Sequence, residues 1–236
     1  MMLLACQRQP PPAPRPALRP PGQTGSATLT GSVRFAGPPP APPAPLASLK
    51  LSFPDCARFV AGAPADPGLL RAPGGGVKDA FVWIREGLAA GDYPVPEQPV
   101  LLDQSSCEFS PRVFGIRVGQ PLAIANSDPL LHNVSSAAAF NLALPKGGAR
   151  ARPRFERPGV MTPIVCNLHG WMRAWAGVVA HPYFAVSDAA GRFAIPNLPA
   201  GTYTVELWQE RLGFFRQRVT LAEHETRTIA FDLEAP

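Results

Sequence analysis

Cys166, His169 and Met172 stand three apart in the run Cys166-Asn167-Leu168-His169-Gly170-Trp171-Met172, and a further imidazole, His132, lies upstream. One thiolate, two imidazoles and a weak thioether form the ligand set of a blue-copper electron-transfer centre. Thiolate and thioether are soft enough to hold Cu(I), while imidazole tolerates both oxidation states, so a rigid mixed set keeps reorganisation small. Zinc also binds Cys and His, but a Met ligand is unusual for it. A binuclear copper site needs a second Cys in the loop, and residues 167–170 contain none. A trinuclear cluster needs further paired histidines, where only His181 and His224 remain. His181, before Pro182-Tyr183-Phe184, reads as a hydrogen-bonded structural histidine.

The elements around these residues must be strands. On a helix the same spacing would also share a face, but Pro163, Gly170 and Gly177 punctuate the segment, so a loop between two strands fits better. Residues 163–166 read as the strand leading in, and 175–180 as the strand leaving. Asn126-Ser127-Asp128-Pro129 is a turn signal that delivers His132 into a strand at 131–134. Residues 100–103, 113–118 and 121–125 read as further strands, and 141–158 as a polar, basic loop. Earlier, residues 27–35 and 78–84 carry strand patterns, with irregular structure around Cys56 over 46–76. Residues 183–187, 191–195, 202–208, 216–221 and 226–233 continue the series. Many short strands at regular spacing predict an all-β chain built of β-sandwiches.

The 236 residues suffice for one large or two small domains, and the 31 prolines crowd residues 9–22 and 38–45. Residues 7–25 read as an extended, Pro-rich linker. No run of 18 apolar residues occurs, which predicts no transmembrane span. The net charge of +5 is densest at Arg150, Arg152, Arg154 and Arg157, a surface for an acidic protein partner or simply a solvated loop. Nothing interleaves bases with aromatics as a nucleic-acid surface would. With Cys166 assigned to the metal, Cys56 and Cys107 remain as a disulfide candidate, which fits an oxidising compartment. Leu3-Leu4-Ala5-Cys6 resembles the lipobox of bacterial lipoproteins, with Cys6 as the lipidation candidate. The basic region and longer apolar stretch of such a signal are missing, so residues 1–26 are expected to hold a truncated signal and linker.

Residues 98–181 resemble a complete cupredoxin, the small Greek-key sandwich of plastocyanins, amicyanins and pseudoazurins. The resemblance is carried by Cys107-Glu108-Phe109-Ser110-Pro111-Arg112-Val113, by Asn126-Ser127-Asp128 with His132-Asn133-Val134, and by the Cys-x2-His-x2-Met loop of amicyanin-like spacing. It implies one type 1 copper held by His132, Cys166 and His169, with Met172 as weak axial ligand. It also implies that Asn133 gives its amide to the Cys sulfur and pins the loop, and that electrons pass through an exposed His169 edge. Phe109, Phe140, Trp171 and Trp175 are candidates for an apolar shell, or plain core.

Residues 182–236 are similar to the carboxypeptidase regulatory-like, transthyretin-like sandwich, through residues 187–195 and 198–205. The opening strand of that pattern is missing before Tyr183, whereas Gly31-Ser32-Val33-Arg34-Phe35-Ala36-Gly37-Pro38 fits it. A discontinuous sandwich, residues 27–97 plus 182–236, is therefore expected, with the cupredoxin of 98–181 inserted in it or packed beside it. The combination resembles bacterial secreted proteins of the methylamine-utilisation-like kind. These readings lead to a one-electron carrier, periplasmic or at the cell surface, that docks a redox protein. Copper buffering at the surface and an adhesion-type scaffold are the alternatives. An enzyme is not expected, since no paired carboxylates, nucleophile–His–acid set or phosphate loop is found.

Overall fold

The computed structural model describes residues 21–38, 51–59, 67–137, 139–148 and 150–234. Cys6 and most of the Pro-rich linker fall outside these residues. In chain order come β1 (Ala27–Phe35), a one-turn helix α1 (Pro54–Ala57), β2 (Phe81–Glu86), β3 (Val100–Ser105), β4 (Glu108–Ser110) and β5 (Val113–Arg117). Next are β6 (Leu122–Asn126), β7 (His132–Ser136), β8 (Phe140–Leu144), β9 (Arg150–Ala151), β10 (Gly159–Val165) and β11 (Arg173–Val179). The chain ends with β12 (Phe184–Val186), β13 (Arg192–Leu198), β14 (Gly201–Gln209), β15 (Gly213–Leu221) and β16 (Thr226–Leu233). The fold is all-β. No helix among the described residues is long and apolar enough to cross a membrane.

Two pairs of sheets each close on a core. In the first, sheets β13-β1-β16 and β12-β2-β14-β15 bury Leu29, Val33, Phe35, Ile84, Val205 and Phe231. β1 buries every second residue, as a strand with one face on a core must. In the second, sheets β5-β11-β10-β7-β8 and β4-β3-β6-β9 bury Leu102, Ile116, Leu122, Ile124, Val134 and Ile164. The ladder partners of β1 are β13 and β16, and those of β2 are β12 and β14, so both strands pair within the last fifty or so residues. β2 and β12 are themselves antiparallel neighbours, Phe184 opposite Trp83. The chain thus leaves the first pair of sheets after β2, builds the second, and returns beside the strand it left.

Residues 141–158 are not the loop that their polarity suggests. Phe140-Asn141-Leu142-Ala143-Leu144 alternates in period two and forms β8 against β7, His132 opposite Leu144. Arg150 and Ala151 add the short β9 to the edge of β6.

The two sandwiches meet through a third apolar cluster. β2 is buried on both faces because Val82 and Ile84 enter the first core while Phe81 and Trp83 turn to the second sandwich. There they join Val113, Met161, Val179 and Trp208, with Trp175 and Trp208 rings 5.0 Å apart. Arg112 clamps the same boundary with a two-pronged ion pair to Glu210, both contacts at 2.7 Å. Close approach rests on two glycines. Gly115 and Gly177 lie opposite each other on β5 and β11, and a Cβ would stand 2.2 Å from the Phe81 ring at Gly177 and 2.1 Å from Phe184 at Gly115. Gly177→Val is therefore expected to destabilise the protein by about 3 kcal/mol through overpacking. Denaturant unfolding followed by Trp fluorescence measures this, and an unchanged midpoint refutes the tight docking. At the same boundary His181 accepts a hydrogen bond at Nδ1 from the Tyr183 amide, 3.2 Å away. Burial pulls its imidazole down to about 4, so it is a neutral structural residue at ordinary pH.

Candidate metal centre

β6 ends at Asn126, and the Asn126 side chain shapes the turn beyond it. Its Nδ2 donates to the carbonyls of Leu130 at 2.8 Å and Leu144 at 2.9 Å, while its Oδ1 accepts the Asp128 amide at 3.1 Å. That turn sets His132 as the first residue of β7, fully buried. From the neighbouring strand, β10 delivers Cys166 just past its end. The loop to β11 is tied by Cys166 N–H to the Met172 carbonyl, 3.2 Å, and Met172 N–H to the His169 carbonyl, 2.8 Å. Cys166, Met172 and Val134 share one core cluster.

The side chains converge. His132 Nδ1 and His169 Nδ1 face each other at 3.1 Å, and Cys166 Sγ lies 3.6 Å from His169 Nδ1. The donor atoms of His132, Cys166 and His169 all lie within 4.8 Å of one another, with all three residues buried. A second group within that limit, Cys107, Asp128 and His132, has no thiolate to offer, because Cys107 is bonded to Cys56. Asn133 links three elements. Its N–H points at Cys166 Sγ, 3.4 Å, its Nδ2 donates to Asn141 on β8 at 2.7 Å, and its Oδ1 accepts the Asn167 amide at 3.1 Å.

The electrostatics favour an ionised sulfur. Burial opposes ionisation of Cys166, but hydrogen bonds from His132 and from the amides of Asn133, His169 and Leu168 outweigh it and hold the thiol below its ordinary range. Burial alone would pull His132 down, yet its hydrogen bonds with Asp128 and Cys166 push it up to about 9. His169 is lowered, first by burial and then by the charge of His132. The site thus brings together a thiol whose ionisation is favoured, an imidazole whose protonation is favoured and an imidazole whose protonation is disfavoured. Such a set can exchange its protons for one soft or borderline cation.

Three features were not foreseen. Asp128 Oδ2 lies 2.8 Å from His132 Nε2, although residues 126–129 read only as a turn. Phe53, beside α1, packs edge-on against His169 at 5.4 Å and against Trp171 at 4.9 Å. The His169 edge expected to be exposed is consequently covered: His169 is only 7% exposed. Phe53 is held there through the disulfide, since Cys56 of α1 bonds Cys107 and the Cys107 carbonyl accepts the Trp171 indole N–H at 2.9 Å. Of the candidate shell residues, Phe109 is buried in the second core, with Phe140 and Trp171 packed against it. Trp175 instead faces the other sandwich, because odd positions of β11 turn that way.

The arginine cluster runs away from the site. Arg150 lies opposite Ala125, near the ligand end of β6, whereas Arg154 lies opposite Pro121 and donates to the Gly119 carbonyl. Pro121 and Asn126 stand about 16 Å apart along an extended strand. The exposed apolar residues Leu131 and Leu168 are direct chain neighbours of the ligands.

No family model matches the chain. No curated protein matches it either. Among solved structures, a purple cupredoxin from Nitrosopumilus maritimus is 23% identical, over 34% of this chain and 99% of its own, with a TM-score of 0.31. Amicyanin from Paracoccus versutus is 20% identical, over 42% of this chain and 97% of its own, with a TM-score of 0.31. A copper-containing nitrite reductase from Thermus scotoductus is 21% identical, over 50% of this chain and 29% of its own, also at 0.31.

Proposed function

We propose that this chain is a one-electron carrier that holds a single type 1 copper ion in the bacterial cell envelope, periplasmic or at the cell surface. The observation that carries the reading is the buried convergence of Cys166 Sγ, His132 Nδ1 and His169 Nδ1, with the Asn133 amide on the sulfur. The donors fit copper: an ionised sulfur and two imidazoles are its preferred partners, and Met172 in the same core supplies the weak thioether. Copper held there supplies a one-electron couple. His132, Cys166 and His169 bind it, Asn133 and the loop hydrogen bonds keep the ligands in place, and the surrounding core excludes water. In this reading the protein performs no substrate chemistry.

A preformed, buried site favours electron carriage over copper buffering, which calls for ready exchange with solutes. The disulfide is of the kind expected in an oxidising compartment. The partner is a redox protein that approaches the His169 side past Phe53 and Leu168, and an acidic surface on it can engage Arg150 at the near end of the arginine row. The test is addition of Cu(II) to purified metal-free protein. One equivalent is expected to produce an intense visible thiolate-to-copper band and a reversible one-electron potential. A folded protein without that band overturns the reading, while a band without reversible electron exchange favours buffering.

A further inference from the structure

We propose that Asp128 is a positioning residue that fixes the ring of His132 for metal ligation; the proposal rests on the copper reading above. His132 is fully buried, and both ring nitrogens are committed. Nδ1 faces the other ligands, and Nε2 meets Asp128 Oδ2 at 2.8 Å. With a carboxylate as partner, Nε2 carries the proton, and Nδ1 is left to the metal.

Asp128 is in turn held on every side. Its Oδ1 accepts the Ser106 amide at 2.7 Å, and its Oδ2 accepts the Cys107 amide at 2.8 Å. Ser106 and Cys107 both adopt left-handed backbone, φ 58° and 56°, which aims consecutive amides at one anion. The Asp128 amide is tied to the Asn126 side chain, and the residue is 3% exposed. A carboxylate with three donors on it cannot swing away, so the His132 ring cannot rotate without breaking a buried charged contact. Asp128 also places a full negative charge behind a ligand, where a neutral acceptor would serve for orientation alone. That charge raises the basicity of the imidazole and favours the more highly charged Cu(II) over Cu(I).

A purely structural cap on residues 106–107 would act on folding alone, and the two roles separate experimentally. Asp128→Asn keeps the shape and removes the charge; Asp128→Ala removes both. Titration with Cu(II) and with Cu(I) is expected to show a 10–100-fold loss of Cu(II) affinity in Asp128→Asn. Cu(I) affinity should fall about tenfold less, which raises the potential by about 59 mV. In metal-free wild-type protein, nitrogen NMR should find a proton on His132 Nε2 that is slow to exchange, and Asp128→Ala should lose that protection. Unchanged copper affinities and potential in a folded Asp128→Asn, beside a wild type that shows its band, overturn the positioning role and leave the copper reading standing. If the wild type shows no band, the copper reading fails while the metal-free NMR still decides whether Asp128 holds the ring. If neither variant folds, the wild-type spectrum decides alone, and a proton absent from Nε2 overturns the proposal.

Discussion

Cys166→Ser protein is expected to fold and to give no visible band with Cu(II). The band requires electron density on sulfur to move into the metal, and a serine hydroxyl is neither soft nor ionised near neutral pH. The fold should tolerate the change. Oxygen replaces sulfur at a site where the Asn133 amide already points, 3.4 Å from the sulfur, and where the His169 ring nitrogen lies alongside. The hydroxyl is therefore satisfied, and stability should move by only about 1 kcal/mol. Thermal melts of the metal-free forms check this side, and absorption titrations with Cu(II) check the other. A Cys166→Ser protein that retains the band would mean that the colour arises elsewhere.

Removal of the disulfide, in a Cys56→Ala/Cys107→Ala double variant, is expected to cost about 4 kcal/mol. The bond spans 51 residues of sequence, and the conformational freedom it denies to the unfolded chain over such a loop has that magnitude. For a chain of this size the melting temperature should fall by roughly 10 °C. The candidate metal site should feel the loss as well. Cys107 gives its amide to Asp128 and its carbonyl to Trp171, and Cys56 carries the segment that lays Phe53 on His169. The double variant should thus exchange copper with a competing chelator faster than wild type. Equal melting temperatures and equal exchange rates would show that the bond is ornamental to both fold and site.

The strands were legible wherever one face met solvent. Residues 27–35 and 226–233 announce themselves by alternation, and the ends that carry His132 and Cys166 follow from turn chemistry at residues 126–129 and at Gly170. Residues 140–144 were hidden because the basic, Pro- and Gly-rich stretch after them dominates the local composition. The side that Trp175 serves was hidden for a different reason: a strand buried on both faces shows no alternation, so that side cannot be read from its own residues. Asp128 looked like a turn former, which it also is, and its contact with His132 depends on amides of residues 106 and 107 that only the tertiary fold brings near. Phe53 lies far upstream in a segment with no period. Its place over His169 is fixed by the Cys56–Cys107 bond, whose partners composition could suggest but not bring together.

The return of the chain beside the strand it left has a consequence for how the molecule comes apart. β2 and β12 are laddered, and all of residues 87–183 hang between them. While that stretch is folded, its two ends are presented side by side and the outer sheet closes at no further cost in chain freedom. Should it melt, the same ends become the termini of a long random coil, and holding them together would cost about 4 kcal/mol of entropy. Collapse of the inner sandwich thus unzips the outer one, and any ion that steadies the inner sandwich steadies its host. Occupancy of a few buried donor atoms is in this way broadcast to strands that never touch them.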